Sequence, residues 1–359
     1  MAGLTRSKLI IVTPGDPDGI GPEVTWKAIQ SQSFSNKRIQ ILCVGPREPF
    51  DRLGAPVVEA RGLLKKVDLP ISKKPFIWLL RAPSLSPSKA SHQKPIFLQG
   101  YQAGWSVEHA IHLLNNGVGA ALVTGPISKE RLRAGGFKYN GHTDFLAALC
   151  AKKAGTKKNP ISVTMMLANK HLRVSLVTTH LPLSSVSKSL NHRNILQTFN
   201  HTFDHLKKDC GITCPKIAIL GLNPHAGEGG LFGHEERNII APVIAHLRKT
   251  SRGKYIVSGP HPADTFFAKN HAAQPRDRQD AVICMYHDQA LIPVKLLDFP
   301  HTVNVTLGLP IIRTSVDHGV AFDIAGKNRA DSSSMCTAIQ LALTLSGVRT
   351  STSKKGRRS

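Results

Sequence analysis

The chain reads as an α/β protein with a largely parallel sheet, and three observations point there. Short apolar runs of strand length alternate with stretches of helical periodicity along the sequence. Several of those runs stop abruptly in polar clusters, as buried parallel strands do at the edge where an open sheet binds ligands. A length of 359 residues exceeds what one simple core organises and implies two domains of ordinary size.

Leu9–Thr13 is the first strand, broken by PGDPDGIGPE, where Pro22 opens a helix through Ile29. Gly15, Gly19 and Gly21 are spaced GxxxGxG, not as the GxGxxG dinucleotide fingerprint, and no Walker A sequence occurs. Such a turn can still aim backbone N–H groups at an anion. Ile41–Val44 is a second strand, and the Pro-, Ser- and Lys-rich stretch from Asp51 to Pro95 reads as loop or insertion. A helix over Ser106–Leu114 stops at Asn115-Asn116-Gly117, with His109 and His112 on its surface. Ala120–Val123 is a strand ending in TGPISKE, followed by a helix from Lys129 to Gly135-Gly136. Thr143 is a natural N-cap for a helix over Asp144–Lys153, which sets His142 beside an anion-attracting helix start. SVTMMLA and LRVSLVTTH are adjacent strands turning at Asn169-Lys170. In the helix over Asn191–Lys208, His201 and His205 stand four apart but lack an acidic partner, so they read as an exposed face. Lys216–Leu220 leads into GLNPHAGEGGLFGHEE and a helix over Glu235–Arg248, and Tyr255–Val257 breaks into GPHPADTFF. The apolar run Ala281–Met285 stops at Tyr286-His287-Asp288-Gln289, and a last helix lies near Met335–Leu345.

Composition excludes several classes. Hydrophobic content of 41% with 19% charged residues describes a globular chain, not a disordered one. No apolar run approaches the roughly 18–20 residues that span a bilayer, and Leu9–Val12 is too short for a signal sequence, so a cytoplasmic protein is expected. Forty-seven basic against 23 acidic residues give +24. That excess is scattered through Lys pairs (65–66, 73–74, 152–153, 157–158, 207–208) without interleaved aromatics, and only the tail SKKGRRS is a compact block. A generally basic surface that attracts anionic substrates is expected, rather than a nucleic-acid interface. Six cysteines without a CxxC pair read as reduced thiols.

Three strand-like runs each deliver one histidine at the C-terminal end: His180, His225 and His287. Three neutral imidazoles with an open fourth position is the pattern of a catalytic divalent site, which suits Zn²⁺ without excluding Co²⁺, Ni²⁺ or Mn²⁺. The bland alternative is three hydrogen-bonding loop residues in a chain with 17 histidines.

GDPDGIGPE, VTGPISKE, GHTDFLA, VTTHLPL, GLNPHAGEGG, GPHPADTFF, MYHDQALIPVK and VNVTLGLPIIRTSVDHGVAFDIAGKN together resemble the 4-hydroxythreonine-4-phosphate dehydrogenases of the pyridoxal phosphate pathway. The likeness runs from about Thr13 to Ala330 and is weak between Asp51 and Pro95. It implies two α/β/α domains separated by a cleft, as in isocitrate and isopropylmalate dehydrogenases, and a homodimer with shared active sites. The domains expected are 1–125 with 300–359 for the nucleotide and 126–299 for metal, substrate and dimerisation. His180, His225 and His287 stand at the family's metal positions, for Zn²⁺ first and Co²⁺, Mg²⁺ or Mn²⁺ otherwise. His142, Thr143, Lys295, Asn304 and Arg313 match its substrate contacts. SVDHGVAFDIAGKN resembles a nucleotide loop, which implies His318, Gly319, Asp323, Gly326 and Asn328 as contacts for NAD, with NADP as the alternative. The implied reaction oxidises a phosphorylated hydroxy amino acid at C3 and releases CO₂. Asp264 is the candidate proton acceptor, with charge stabilisation or capping as its alternatives.

Departures from the family pattern are Asp144 in place of Glu, Gly125 and Ser128 in TGPISK, and His261 in GPHPAD. Rival readings are a dehydrogenase of threonate or erythronate 4-phosphate and, from another class, a metal-dependent hydrolase.

Overall fold

A computed structural model of the chain describes residues 9–31, 40–60, 74–84, 96–153 and 161–355. The Lys pairs 65–66 and 157–158, the last four residues of the basic tail and much of the Pro- and Ser-rich stretch lie outside the described residues. The chain divides into two compact units, the described residues of Met1–Ser162 with Leu309–Gly347 and those of Val163–Gly308 with Val348–Ser359.

The first unit contains β1 (Leu9–Thr13), α1 (Gly21–Gln30), β2 (Gln40–Gly45), α2 (Glu48–Arg52), β3 (Val57–Glu59) and β4 (Ile77–Arg81). It continues through α3 (Phe97–Asn115), β5 (Ala121–Thr124), α4 (Lys129–Ala134) and α5 (His142–Lys153). In the second, β6 (Thr164–Ala168), β7 (Arg173–Leu176), α6 (Leu183–Ser189), α7 (His192–Lys208), β8 (Lys216–Leu220) and α8 (Ala241–Thr250) come first. They are followed by β9 (Ile256–His261), α9 (Ala263–Ala272), β10 (Ala281–Cys284), α10 (His287–Asp298) and β11 (Val303–Leu307). The chain then returns to the first unit with β12 (Ile312–Ser315) and, as far as Gly347, α11 (Ser333–Lys355).

Strands of the first unit run β3-β4-β2-β1-β5-β12, and every pairing is parallel. Parallel strands covered on both faces need continuous apolar runs, and Ile10, Ile11 and Val12 are all fully buried. The stretch expected to be loop contributes two of these strands, β3 and β4. Ile77, Trp78 and Leu79 form a short buried run whose signal the surrounding Pro, Ser and Lys residues mask.

The described residues between 126 and 162, expected with the second domain, belong instead to the first unit. The cause is local. A Cβ on Gly100 of α3 would lie 1.7 Å from the Arg131 carbonyl oxygen, and one on Gly104 would lie 2.2 Å from the Phe137 ring. The two bare positions seat α4 and the turn after it directly on α3.

In the second unit the order is β11-β6-β7-β10-β8-β9. The pairs β11–β6 and β6–β7 are antiparallel, the latter the hairpin at Asn169-Lys170, and the rest are parallel. One face buries Ile195, Phe199 and Leu206 of α7 with Ile244 and Leu247 of α8 against Ile217, Ile219 and Ile283. The other buries Leu291 and Val294 of α10 against Val174, Ala218 and Val282. Helices therefore cover this sheet on both sides. The helix α7 starts in a capping box, Asn191 accepting from Asn194 N and Asn194 Oδ1 accepting from Asn191 N. Among the described residues no helix is long and apolar enough to cross a membrane.

Candidate active site

Three neighbouring parallel strands, β7, β10 and β8, carry the three histidines of the second unit. Val282 is in register with Val174 and Ala281 with Ile217, so the carboxyl ends of all three strands lie at one edge of the sheet. His287 is the first residue of α10, and His180 and His225 follow β7 and β8 within one short loop each. The ring centroids of His180 and His287 are 5.7 Å apart at an interplanar angle of 44°. His287 Nδ1 lies 2.7 Å from Asp288 Oδ1. A carboxylate only accepts, so Nδ1 carries the proton and the Nε2 lone pair is left for a cation.

Backbone and amide hydrogen bonds tie these strand ends together. Val177 N donates to Cys284 O at 2.9 Å, and Thr178 gives Met285 O both its N–H, at 3.1 Å, and its hydroxyl, at 2.7 Å. Gln289 accepts from Met285 N and donates to Gly221 O, each at 2.7 Å, and so bridges the ends of β10 and β8. Beyond Gly221, His225, Ala226, Gly227, Glu228 and Gly229 all have positive φ. Glu236 holds this left-handed run: its buried carboxylate accepts from Leu222 N and Asn223 N, both at 2.7 Å, and from Asn223 Nδ2 at 2.9 Å. A Cβ on Gly227 would lie 2.7 Å from Glu236 Oε2, so the loop needs glycine there.

Within one chain the expected three-histidine convergence is not formed. Among the described residues no three His, Cys, Asp or Glu side chains come together to hold an ion. Two imidazoles, one already oriented by a carboxylate, are a donor set that fits part of a divalent site.

The remaining candidates of this unit are dispersed. Asp264 is exposed in the first turn of α9. His261 is bonded to Ser258 Oγ at 2.8 Å and is held neutral by burial and by the Arg248 charge. Lys295 lies on α10 with Nζ 5.3 Å from the Phe299 ring centroid. Asn304, on β11, has a buried Oδ1 without a hydrogen-bond partner among the described residues.

In the first unit, α5 starts at His142, because Phe145 N bonds Gly141 O at 3.2 Å. Thr143 is thus inside the first turn and is not the cap. The Nε2 of His142 is buried without a hydrogen-bond partner among the described residues. Burial first, and the Arg313 charge second, push its pKa well below the ordinary imidazole range, so the ring is neutral. Arg313 is buried at the heart of β12 and donates to Thr124 Oγ1 at 2.7 Å. Burial brings its guanidinium down to about 9, which leaves it cationic at neutral pH. A buried cation beside a neutral ring is suited to a phosphate or carboxylate.

His318, Gly319, Asp323, Gly326 and Asn328 share one irregular loop, in which Ala321, Gly326 and Asn328 have positive φ. The Nε2 of His318 is buried without a hydrogen-bond partner among the described residues, an open position for a polar ligand atom. Glu23 and Lys27 of α1 pin the loop's end. Lys27 Nζ donates to the carbonyls of Asn328 and Ala330 at 3.0 and 2.8 Å, and Glu23 Oε1 accepts from Ala330 N at 2.9 Å. The glycine turn lies beside it, with Ile20 N bonded to Val320 O at 2.9 Å. A Cβ on Gly15 would meet Pro126 O at 2.0 Å, so this glycine serves close backbone packing.

Residues 85–342 match the family described as pyridoxal phosphate biosynthetic protein PdxA. The chain belongs to this family. It is 41% identical over 339 residues to a 4-hydroxythreonine-4-phosphate dehydrogenase of Desulfosudis oleivorans, covering 93% of this chain and 95% of that one. A solved structure of the Klebsiella pneumoniae 4-hydroxythreonine-4-phosphate dehydrogenase superposes with TM-score 0.79 at 36% identity, covering 94% of this chain and 98% of that one. A terephthalate 1,2-cis-dihydrodiol dehydrogenase from Burkholderia xenovorans superposes with TM-score 0.62 at 28% identity, over the same shares.

Four supporting residues escaped sequence reasoning: Gln289, Glu236, Glu23 and Lys27. Gln289 and Glu236 had a visible signal, since each is a polar side chain set among residues of a motif already noted. The pairing of Glu23 and Lys27 with residues some 300 positions away had none.

Proposed function

We propose that this chain is a 4-hydroxythreonine-4-phosphate dehydrogenase, oxidising 4-phosphohydroxythreonine with NAD⁺ and releasing CO₂ to give 3-amino-2-oxopropyl phosphate for pyridoxal phosphate synthesis. The observation that carries the reading is the adjacency of β7, β10 and β8, which puts the His180, His225 and His287 segments at one sheet edge in a chain of this family. When bound, NAD⁺ accepts the C3 hydride and a divalent ion polarises the C3 oxygen, the electron withdrawal that oxidation and loss of CO₂ both need.

The chain's own residues bind and orient. Arg313 and neutral His142 supply a charged donor and an uncharged polar contact for an anionic substrate group, with Thr143 next to His142 in the sequence. Lys295 and Asn304 are the substrate contacts of the second unit. The 318–328 loop binds the nucleotide, NADP being the alternative to NAD. Asp264 is the proton acceptor, its exposed carboxylate being open to a substrate hydroxyl. His180, His225 and His287 hold the ion, Zn²⁺ first and Co²⁺, Mg²⁺ or Mn²⁺ otherwise.

Among the described residues of one chain no three donors come together, and a homodimer completes the set. The exposed apolar residues support it: Ile292, Leu296 and Phe299 form a stripe on the helix that His287 opens, and Leu231 and Phe232 follow His225. The test is steady-state kinetics on purified, metal-analysed protein. NADH should appear with 4-phosphohydroxythreonine; turnover only of threonate or erythronate 4-phosphate would overturn the assignment.

The amine-free acids form the second reading. The Burkholderia diol dehydrogenase, at 28% identity, bears a different substrate in its name, so the fold accommodates a change at the substrate.

A further inference from the structure

At the C-terminal end of α7, outside every residue assigned above, three side chains line up. Sequence reasoning put His205 on an exposed face without an acidic partner, yet it is only 5% exposed and has one. His205 Nδ1 lies 3.0 Å from Asp209 Oδ2, and its Nε2 lies 3.6 Å from Cys210 Sγ. The carboxylate accepts from Nδ1, which fixes the ring and turns Nε2 toward the sulfur. A thiol, an imidazole and an orienting carboxylate in that sequence of contacts is the arrangement that activates a cysteine nucleophile. Helix spacing accounts for the pairing of His205 with Asp209, one turn apart. The thiol is placed by the backbone, as Asp209 N and Cys210 N both bond His205 O, at 2.9 and 3.0 Å.

We propose that Cys210 is a nucleophilic thiol, a covalent modification site for small electrophiles, with the His205 imidazolium stabilising its thiolate and Asp209 positioning the ring. In the reaction with an alkyl halide the Cys210 S–H proton passes to water, and His205 Nε2–H donates to the thiolate left behind. The sulfur lone pair then forms the S–C bond as the carbon–halogen bond breaks, and halide leaves. Burial opposes a charge on this ring, but Asp209 and Cys210 outweigh burial and raise the His205 pKa to about 9, so a cation faces the sulfur at pH 7. Cys210 is partly accessible, whereas Cys43 and Cys284 are buried and burial raises both of their pKa values.

Cys214, exposed on the same loop, is the internal control. If access alone governed the rate, Cys214 would react first. The test treats the whole folded protein with iodoacetamide at pH 7 and follows each site by fragmentation mass spectrometry. Cys210 should be alkylated at least ~10-fold faster than Cys214, and Asp209→Asn and His205→Gln should each lower the Cys210 rate ~10-fold without changing Cys214. Equal or faster labelling of Cys214 in the unsubstituted protein would overturn the proposal. So would an unchanged Cys210 rate in a variant whose circular dichroism shows it folded. Should His205→Gln not fold, the ratio in the unsubstituted protein and the Asp209→Asn rate still decide.

Discussion

At His142 and Arg313 burial pulls both pKa values down, yet leaves one ring neutral and one guanidinium cationic at neutral pH. His287→Ala should leave far-UV circular dichroism unchanged while bound metal, measured by elemental analysis, and turnover both fall by at least ~10-fold. Normal metal stoichiometry would remove His287 from the site. Arg313→Ala should raise KM for the phosphorylated substrate by ~10-fold or more, the loss of a charge-assisted hydrogen bond, and an unaltered KM would count against its role. His205 gives a pH signature of stability. Its folded pKa, raised to about 9, exceeds the ordinary imidazole value of 6.5. The folded state thus binds the proton more tightly, and its contribution, about 3 kcal/mol, is complete below pH 6.5 and fades as pH rises through 9. Urea melts of the unsubstituted protein and His205→Gln should differ at pH 6 and converge near pH 10. Curves that keep the same separation at both pH values would refute this linkage.

At the level of elements, tight backbone contact matters as much as side-chain packing. Gly100→Ala places a methyl 1.7 Å from the Arg131 carbonyl oxygen, so α3 and α4 must separate. Denaturant melts should show a loss of about 2–3 kcal/mol, the scale of overpacking in a tight interior. A loss below about 0.5 kcal/mol would mean the contact is soft. The strands before the three histidines were legible because each is a compact apolar run cut off by polar residues. The strand β4 was not, since Ile77–Leu79 is too short to stand out within a Lys- and Pro-rich neighbourhood. Thr143 was misread as a cap because capping preference describes residue type, while the actual helix start is decided by the Phe145–Gly141 backbone bond. The partner of His205 was missed for a different reason. Asp209 lies just past the last helical turn, where a periodicity search had stopped looking.

For the whole molecule, the open question of three donors becomes one of assembly. Leu296 is 84% exposed, an unusual place for a large apolar side chain, with Ile292 and Phe299 on the same stripe. Leu296→Glu should shift light-scattering mass from dimer to monomer and reduce bound metal in parallel. A dimer that persists with full metal would show that the stripe is not the contact. The make-up of the two units is only partly legible: the 318–328 loop and the strand-end histidines stand out by motif. The seating of α4 on α3 in the first unit depends on two glycines whose purpose appears only in three dimensions. One feature of α10 reaches further. The rod begins at His287 and bears the greasy stripe along its outer side, so the proposed ion site and the proposed dimer contact are mechanically one object. Dilution should then act on the enzyme as a chelator does, with specific activity dropping once the protomers drift apart and returning when they are concentrated with the ion.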